Sequence, residues 1–137
     1  MLDPAIKTLI CEEQARQSGR FVEGVGLDAY LEKLGTHAEV LSASHAERCR
    51  GFVAFYCNDL TSRQAYITLV LVAPEDRATG LGRVLMTAVL DICRRRGFTT
   101  CRIEARTDNV AALAMYQSLG FAPVVEHDGK RMLELAL

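Results

Sequence analysis

Apolar residues along this chain change period several times, and each change marks an element. Ile6, Leu9 and Ile10 recur at helical spacing behind Asp3-Pro4. Asp caps first-turn amides there and Pro suits the first helical position, so a helix is predicted from about residue 4 to Gly19. A second, shorter helix is predicted over 28–34, stopped by Gly35. Segments 39–43 and 49–57 are apolar and β-favouring, and 44–48 reads as the turn of a hairpin. The near-continuous run 65–73 predicts a central strand buried on both faces and ended by Pro74. Leu81, Val84, Leu85, Ala88, Val89 and Ile92 then repeat at helical spacing over 82–96, with Gly97 as terminator and Arg94-Arg95-Arg96 as a solvated last turn.

The C-terminal third follows the same logic. Cys101, Ile103 and Ala105 alternate with Arg102, Glu104 and Arg106, which predicts a strand with one polar face carrying Glu104. A helix is predicted over 109–119, and 121–126 with 131–137 forms a hairpin across Asp128-Gly129. The expected class is α/β: one domain spanning 1–137, with a central sheet and helices covering both of its faces.

Composition narrows the function more than the fold. A length of 137 residues suits a single core, and 50% hydrophobic with 24% charged residues suits a globular chain. The net charge of −1 argues against a general nucleic-acid or anionic-membrane binder. No segment has the length and hydropathy of a signal core or a membrane span. Cys11, Cys49, Cys57, Cys93 and Cys101 lack metal or redox spacing and read as small buried residues in a reducing cytoplasm, with no metal expected. His37, His45 and His127 fall at junctions and turns and read as exposed, while Asn58-Asp59, Tyr56 and Tyr66 read as capping and packing residues.

The segment with the clearest chemistry is strand, loop and helix from 65 to 96. A helix N-terminus with free amides is an anion cradle, and glycines let the backbone approach phosphates closely. Gly80 and Gly82 offer that approach, and Arg77 and Arg83 add charge for a pyrophosphate. Leu85 stands where a dinucleotide fingerprint needs its third glycine, and the Gly-Lys-Ser/Thr ending of a P-loop is absent. On spacing alone the loop is equally an ordinary tight turn.

Arg77-x-x-Gly80-x-Gly82 after an apolar strand resembles the acetyl-CoA loop of the GNAT N-acetyltransferase superfamily. Asn109-x-x-Ala112-x-x-x-Tyr116-x-x-x-Gly120-Phe121 resembles that superfamily's second cofactor motif. The resemblance runs from about Gly51 to the C-terminus. It implies a mixed, mostly antiparallel sheet whose middle strands splay apart around acetyl-CoA. The cofactor would be held by Leu71, Val72, Arg77, Ala78, Thr79, Gly80, Leu81, Gly82, Arg83, Asn109 and Ala112. Amides near Leu71 and Val72 would meet the oxyanion, and Tyr116 would serve as general acid; by spacing alone Tyr116 is a packing residue.

Glu104, in Ile103-Glu104-Ala105-Arg106, is similar to the catalytic glutamate of the ribosomal-protein N-terminal acetyltransferases and is the candidate base. A water relay, with Glu104 merely paired to Arg102 or Arg106, is the alternative. The superfamily's opening strand has no room before Asp3-Pro4, which leaves the acceptor open among a small amine, an amino sugar and a peptide N-terminus. An incomplete sheet edge also makes a second copy of the chain a candidate partner. A non-catalytic acyl-CoA-binding or sensing domain remains the competing function.

Overall fold

The computed structural model describes residues 2–137. Its elements are α1 (Pro4–Arg16), α2 (Leu27–His37), β1 (Glu39–His45), β2 (Arg48–Tyr56), β3 (Gln64–Val72), a 3-10 turn (Pro74–Asp76), α3 (Leu81–Arg95), β4 (Thr100–Arg106), α4 (Val110–Ser118), β5 (Ala122–His127) and β6 (Lys130–Ala136). The strands form one six-stranded sheet in the order β1-β2-β3-β4-β6-β5. β3 and β4 run parallel, while β4–β6 and β5–β6 run antiparallel, which gives the expected mixed α/β class. The chain divides into two compact units, 1–54 with 70–85 and 55–69 with 86–137.

In the first unit, Asp3 caps α1 by accepting from the Ala5 amide at 2.8 Å, and Pro4 follows it. Ile6, Leu9, Ile10 and Glu13 line the buried face of α1. Cys11 points off that stripe and is exposed, which corrects the expectation that every cysteine is buried. At the end of α1, the Gln14 side-chain amide donates to the Gly19 and Val22 carbonyls and accepts from the Val22 amide at 2.7 Å. α2 runs through Gly35 to His37 instead of stopping there. A Cβ at Gly35 would lie 2.8 Å from the Leu2 amide nitrogen, so that glycine serves a close approach and not a helix end. The β1–β2 turn shrinks to Ala46-Glu47, with φ of 50° and 65°, the geometry that matches strand twist in two-residue hairpins.

β3 is covered less than its composition suggests. Ala65, Ile67 and Leu71 are buried and the remainder is half-buried, so one face is packed and the other only partly screened. Its parallel ladder with β4 runs from Gln64↔Thr100 to Ile67↔Ile103, while β3 continues to Val72 and β4 to Arg106.

In the second unit α3 buries Met86, Val89, Leu90 and Cys93. It ends in a Schellman arrangement: Gly97 has φ 82°, its amide bonds the Arg94 carbonyl, and the Phe98 amide bonds the Cys93 carbonyl. Val84, in the first turn of the same helix, is exposed and stands outside the apolar stripe assigned to it. β4 alternates as expected, with Cys101, Ile103 and Ala105 buried and Glu104 exposed. The β5–β6 hairpin turns on Asp128-Gly129, both at positive φ.

Candidate active site

The loop after β3 is built for close backbone approach. Ala78 and Gly80 have φ of 62° and 88°, and a Cβ on Gly80 would meet nothing within 4 Å. The space on the side where a Cβ would stand is therefore open. α3 starts its ladder with the Val84 amide bonding the Gly80 carbonyl at 3.1 Å, which leaves first-turn amides, Leu81 and Gly82 among them, outside the helical bonds. Thr79 fixes the turn from within through its hydroxyl, which donates to the Asp76 carbonyl. Arg83 is exposed on the first turn of α3. These features fit a diphosphate-bearing cofactor: amide donors, a positive helix end and a glycine that leaves space.

Two buried carboxylates anchor this loop, and sequence reasoning assigned neither. Asp76 accepts from Arg50 Nε at 3.0 Å and lies 3.4 Å from an Arg48 guanidinium nitrogen, while Glu75 pairs with the same Arg48. Glu13, on α1, accepts from Arg77 at 2.8 Å, from Gln17 at 2.7 Å and from Arg16. Burial pulls the Glu13 carboxyl upward. The hydrogen bonds from Gln17 and Arg77, the Arg77 charge and the Arg16 hydrogen bond outweigh it and hold the pKa below its ordinary value. Glu13 continues the stripe of Ile6, Leu9 and Ile10, and a charge on a buried stripe is the signal that could have found it. Gly51, on β2, also works unseen: a Cβ there would lie 3.2 Å from the Leu71 carbonyl oxygen and 3.3 Å from Leu81.

Arg77 therefore does not extend freely from the loop. Its Nε donates to the Val72 carbonyl at 3.1 Å and its guanidinium meets Glu13. At the end of β3, Leu71 is buried and Val72 half-buried. The Ala73 amide donates to the Arg50 carbonyl on β2, so by strand alternation the Val72 amide faces away from β2 and the Leu71 amide toward it.

The second unit holds the proton-handling candidates. The Asn109 side chain caps α4, accepting from the Ala112 amide at 3.3 Å, so both motif residues shape the helix start. Tyr116 is buried, packs edge-on to Phe121 with ring centroids 6.2 Å apart, and has its pKa pushed up to about 12 by burial. Glu104 is exposed, with Lys130 Nζ at 3.8 Å. The pairing weighed for it goes elsewhere: register sets Glu134 opposite Arg102, at 2.7 Å, and Arg106 pairs with Asp108. Burial, with the Cys57 charge, lifts the Cys101 thiol to about 12, so it is no nucleophile at neutral pH. His37, His45 and His127 are exposed, and Asp59 caps the turn at Thr61 and Ser62.

A sequence model described as the acetyltransferase (GNAT) family matches residues 8–121. The ribosomal protein bS18-alanine N-acetyltransferase of Escherichia coli (strain K12) is 37% identical over 68 residues, 50% of this chain and 46% of that protein. The chain thus spans about half the length of the curated relatives it matches. The crystal structure of the ribosomal-protein-S18-alanine N-acetyltransferase from Escherichia coli superposes with TM-score 0.74 and 20% identity, covering 96% of this chain and 86% of that one. PaiA N-acetyltransferase from Thermoplasma acidophilum, in complex with coenzyme A, superposes with TM-score 0.76 and 14% identity, covering 97% and 91%. At such identities these two structures bear on the fold.

Proposed function

Because the chain belongs to the acetyltransferase (GNAT) family, we propose that it transfers the acetyl group of acetyl-CoA to a primary amine by direct attack in a ternary complex. The observation that supports this most is the open turn at Gly80, φ 88°, leading into the free amides of α3. When bound, acetyl-CoA supplies an acyl group already activated as a thioester. Leu71, Val72 and the loop Arg77-Ala78-Thr79-Gly80-Leu81-Gly82-Arg83 hold it, with Asn109 and Ala112 as further binding positions. Of the two strand amides, that of Val72 is the better oxyanion donor because it is turned away from β2.

Tyr116 serves the departing sulfur. With its pKa near 12 it stays protonated at every physiological pH. Full transfer to a thiolate whose ordinary pKa is about 8.5 runs uphill, so Tyr116 acts by donating a hydrogen bond. Glu104 or a water relay takes the amine proton.

Among acceptors, a peptide N-terminus ranks ahead of a small amine or an amino sugar, since a relative is named for an alanine of a ribosomal protein. The reaction is placed in the cytoplasm, where the free cysteines stay reduced, with no metal, membrane or nucleic acid required. A homodimer through an open sheet edge completes the proposal, and sedimentation velocity checks it. The decisive experiment follows free-thiol release from acetyl-CoA with an Ala-initiated peptide, a polyamine and an amino sugar. Release with the peptide supports transfer. Coenzyme A binding without release from any acceptor class would mean a sensing domain.

A further inference from the structure

Glu13 and Asp76 are the buried charged side chains among the described residues, and both end on guanidinium groups beside the same loop. A carboxylate on the apolar stripe of α1 costs desolvation that an aliphatic residue would avoid, and it persists only with partners. Its partner from outside α1 is Arg77. That arginine in turn closes the chain back on the Val72 carbonyl, the last residue of β3. The guanidinium thus joins three segments: the end of α1, the end of β3 and the entry to the loop.

We propose that Glu13 is a positioning residue for the cofactor loop, acting through Arg77, which staples the loop to Val72 instead of serving as a free phosphate ligand. The proposal rests on the acetyl-CoA reading above. A fixed Arg77 holds the turn from 72 to 77 closed, so Gly80 and the first amides of α3 present their donors in one arrangement without being ordered by the ligand. The phosphate contacts then belong to those amides, while the charge of Arg77 is answered by Glu13.

The test is calorimetric titration of the full chain with coenzyme A and with S-acetylpantetheine, which has the pantetheine arm but no pyrophosphate. Wild type is compared with Glu13→Gln, Arg77→Lys and the double variant at low and high salt, with circular dichroism as the folding control. Each single variant is expected to weaken coenzyme A by about tenfold, the size of one lost charge-assisted hydrogen bond. The double variant should be no worse than either single, because the two residues act as one unit. S-acetylpantetheine makes no phosphate contact and should bind as in wild type, and the salt dependence of coenzyme A binding should also stay as in wild type. Arg77→Lys keeps the charge on an exposed position but cannot bridge Val72 and Glu13, so it remains informative should Glu13→Gln fail to fold. Undiminished affinity in Arg77→Lys overturns the proposal. So does a loss in Arg77→Lys while Glu13→Gln binds coenzyme A as tightly as wild type, which would make Arg77 a direct ligand that Glu13 does not position. If wild type binds neither compound, the acetyl-CoA reading itself fails.

Discussion

The loop at 77–82 and the region around Tyr116 are fixed by opposite physics. Around the loop, Glu13 and Asp76 hold half-exposed guanidinium groups, and the first-turn amides of α3 stay outside the helical bonds. Around Tyr116, Phe121 packs edge-on to the ring, and the same unit buries Leu113, Ile103 and Leu133. An anion site has to keep its donors unspent, so its rigidity comes from charges set to the sides. A hydrogen-bond donor to sulfur, the role proposed for Tyr116, has to stay neutral, and the same burial that packs the ring raises its pKa.

Leu133→Ala should do the most damage, because a fully buried leucine on β6 leaves a cavity worth about 3–4 kcal/mol of stability; chemical denaturation measures it, and a loss under about 1 kcal/mol would deny that apolar packing fixes this region. Tyr116→Phe comes next. Acetyl transfer should fall by about a hundredfold while coenzyme A affinity stays within about twofold, and an unchanged rate would remove Tyr116 from the chemistry. The same variant carries a titration signature. A tyrosine raised from 10.0 to about 12 loses stability as pH climbs through that interval, since the unfolded chain ionises first, and the phenylalanine variant should lack that fall.

A smaller change is expected at the other region. Asp3→Ala removes the cap of α1 and should cost about 1 kcal/mol, read as a lower thermal midpoint with coenzyme A affinity unaltered. The gentlest probe is acid. The Glu13 pKa is depressed, so its contribution is complete above the ordinary value of 4.5 and is lost as pH falls through the folded value. Glu13→Gln should flatten that acid limb, and a limb of unchanged shape would assign it to another carboxylate.

Legibility in the sequence followed how local each cause was. Asp128-Gly129 was readable to the residue as a hairpin turn because glycine advertises positive φ, whereas the turn at Ala46-Glu47 was readable only as lying within 44–48, since neither residue advertises its conformation. Gly35 misled for the mirror-image reason: its missing side chain admits Leu2, a contact between residues far apart in the chain. The open loop was legible because amides and glycines act through their own backbone. The direction of the Arg77 guanidinium was not, since it depends on Glu13, on a separate helix, and on the strand end at Val72. Glu104 kept its exposed face on β4, but the charge beside it comes from Lys130, set by the register of β6.

Gln14 has a consequence of a chemical kind. Its side-chain amide imitates a peptide unit, giving one hydrogen to the Val22 carbonyl and taking one from the Val22 amide. Hydrolysis of that single amide to a carboxylate would leave the shape intact but turn the donor into an acceptor facing a carbonyl oxygen. The connection from α1 to α2, and buried Val22 with it, would then be released by ageing of one side chain, with no peptide bond cut.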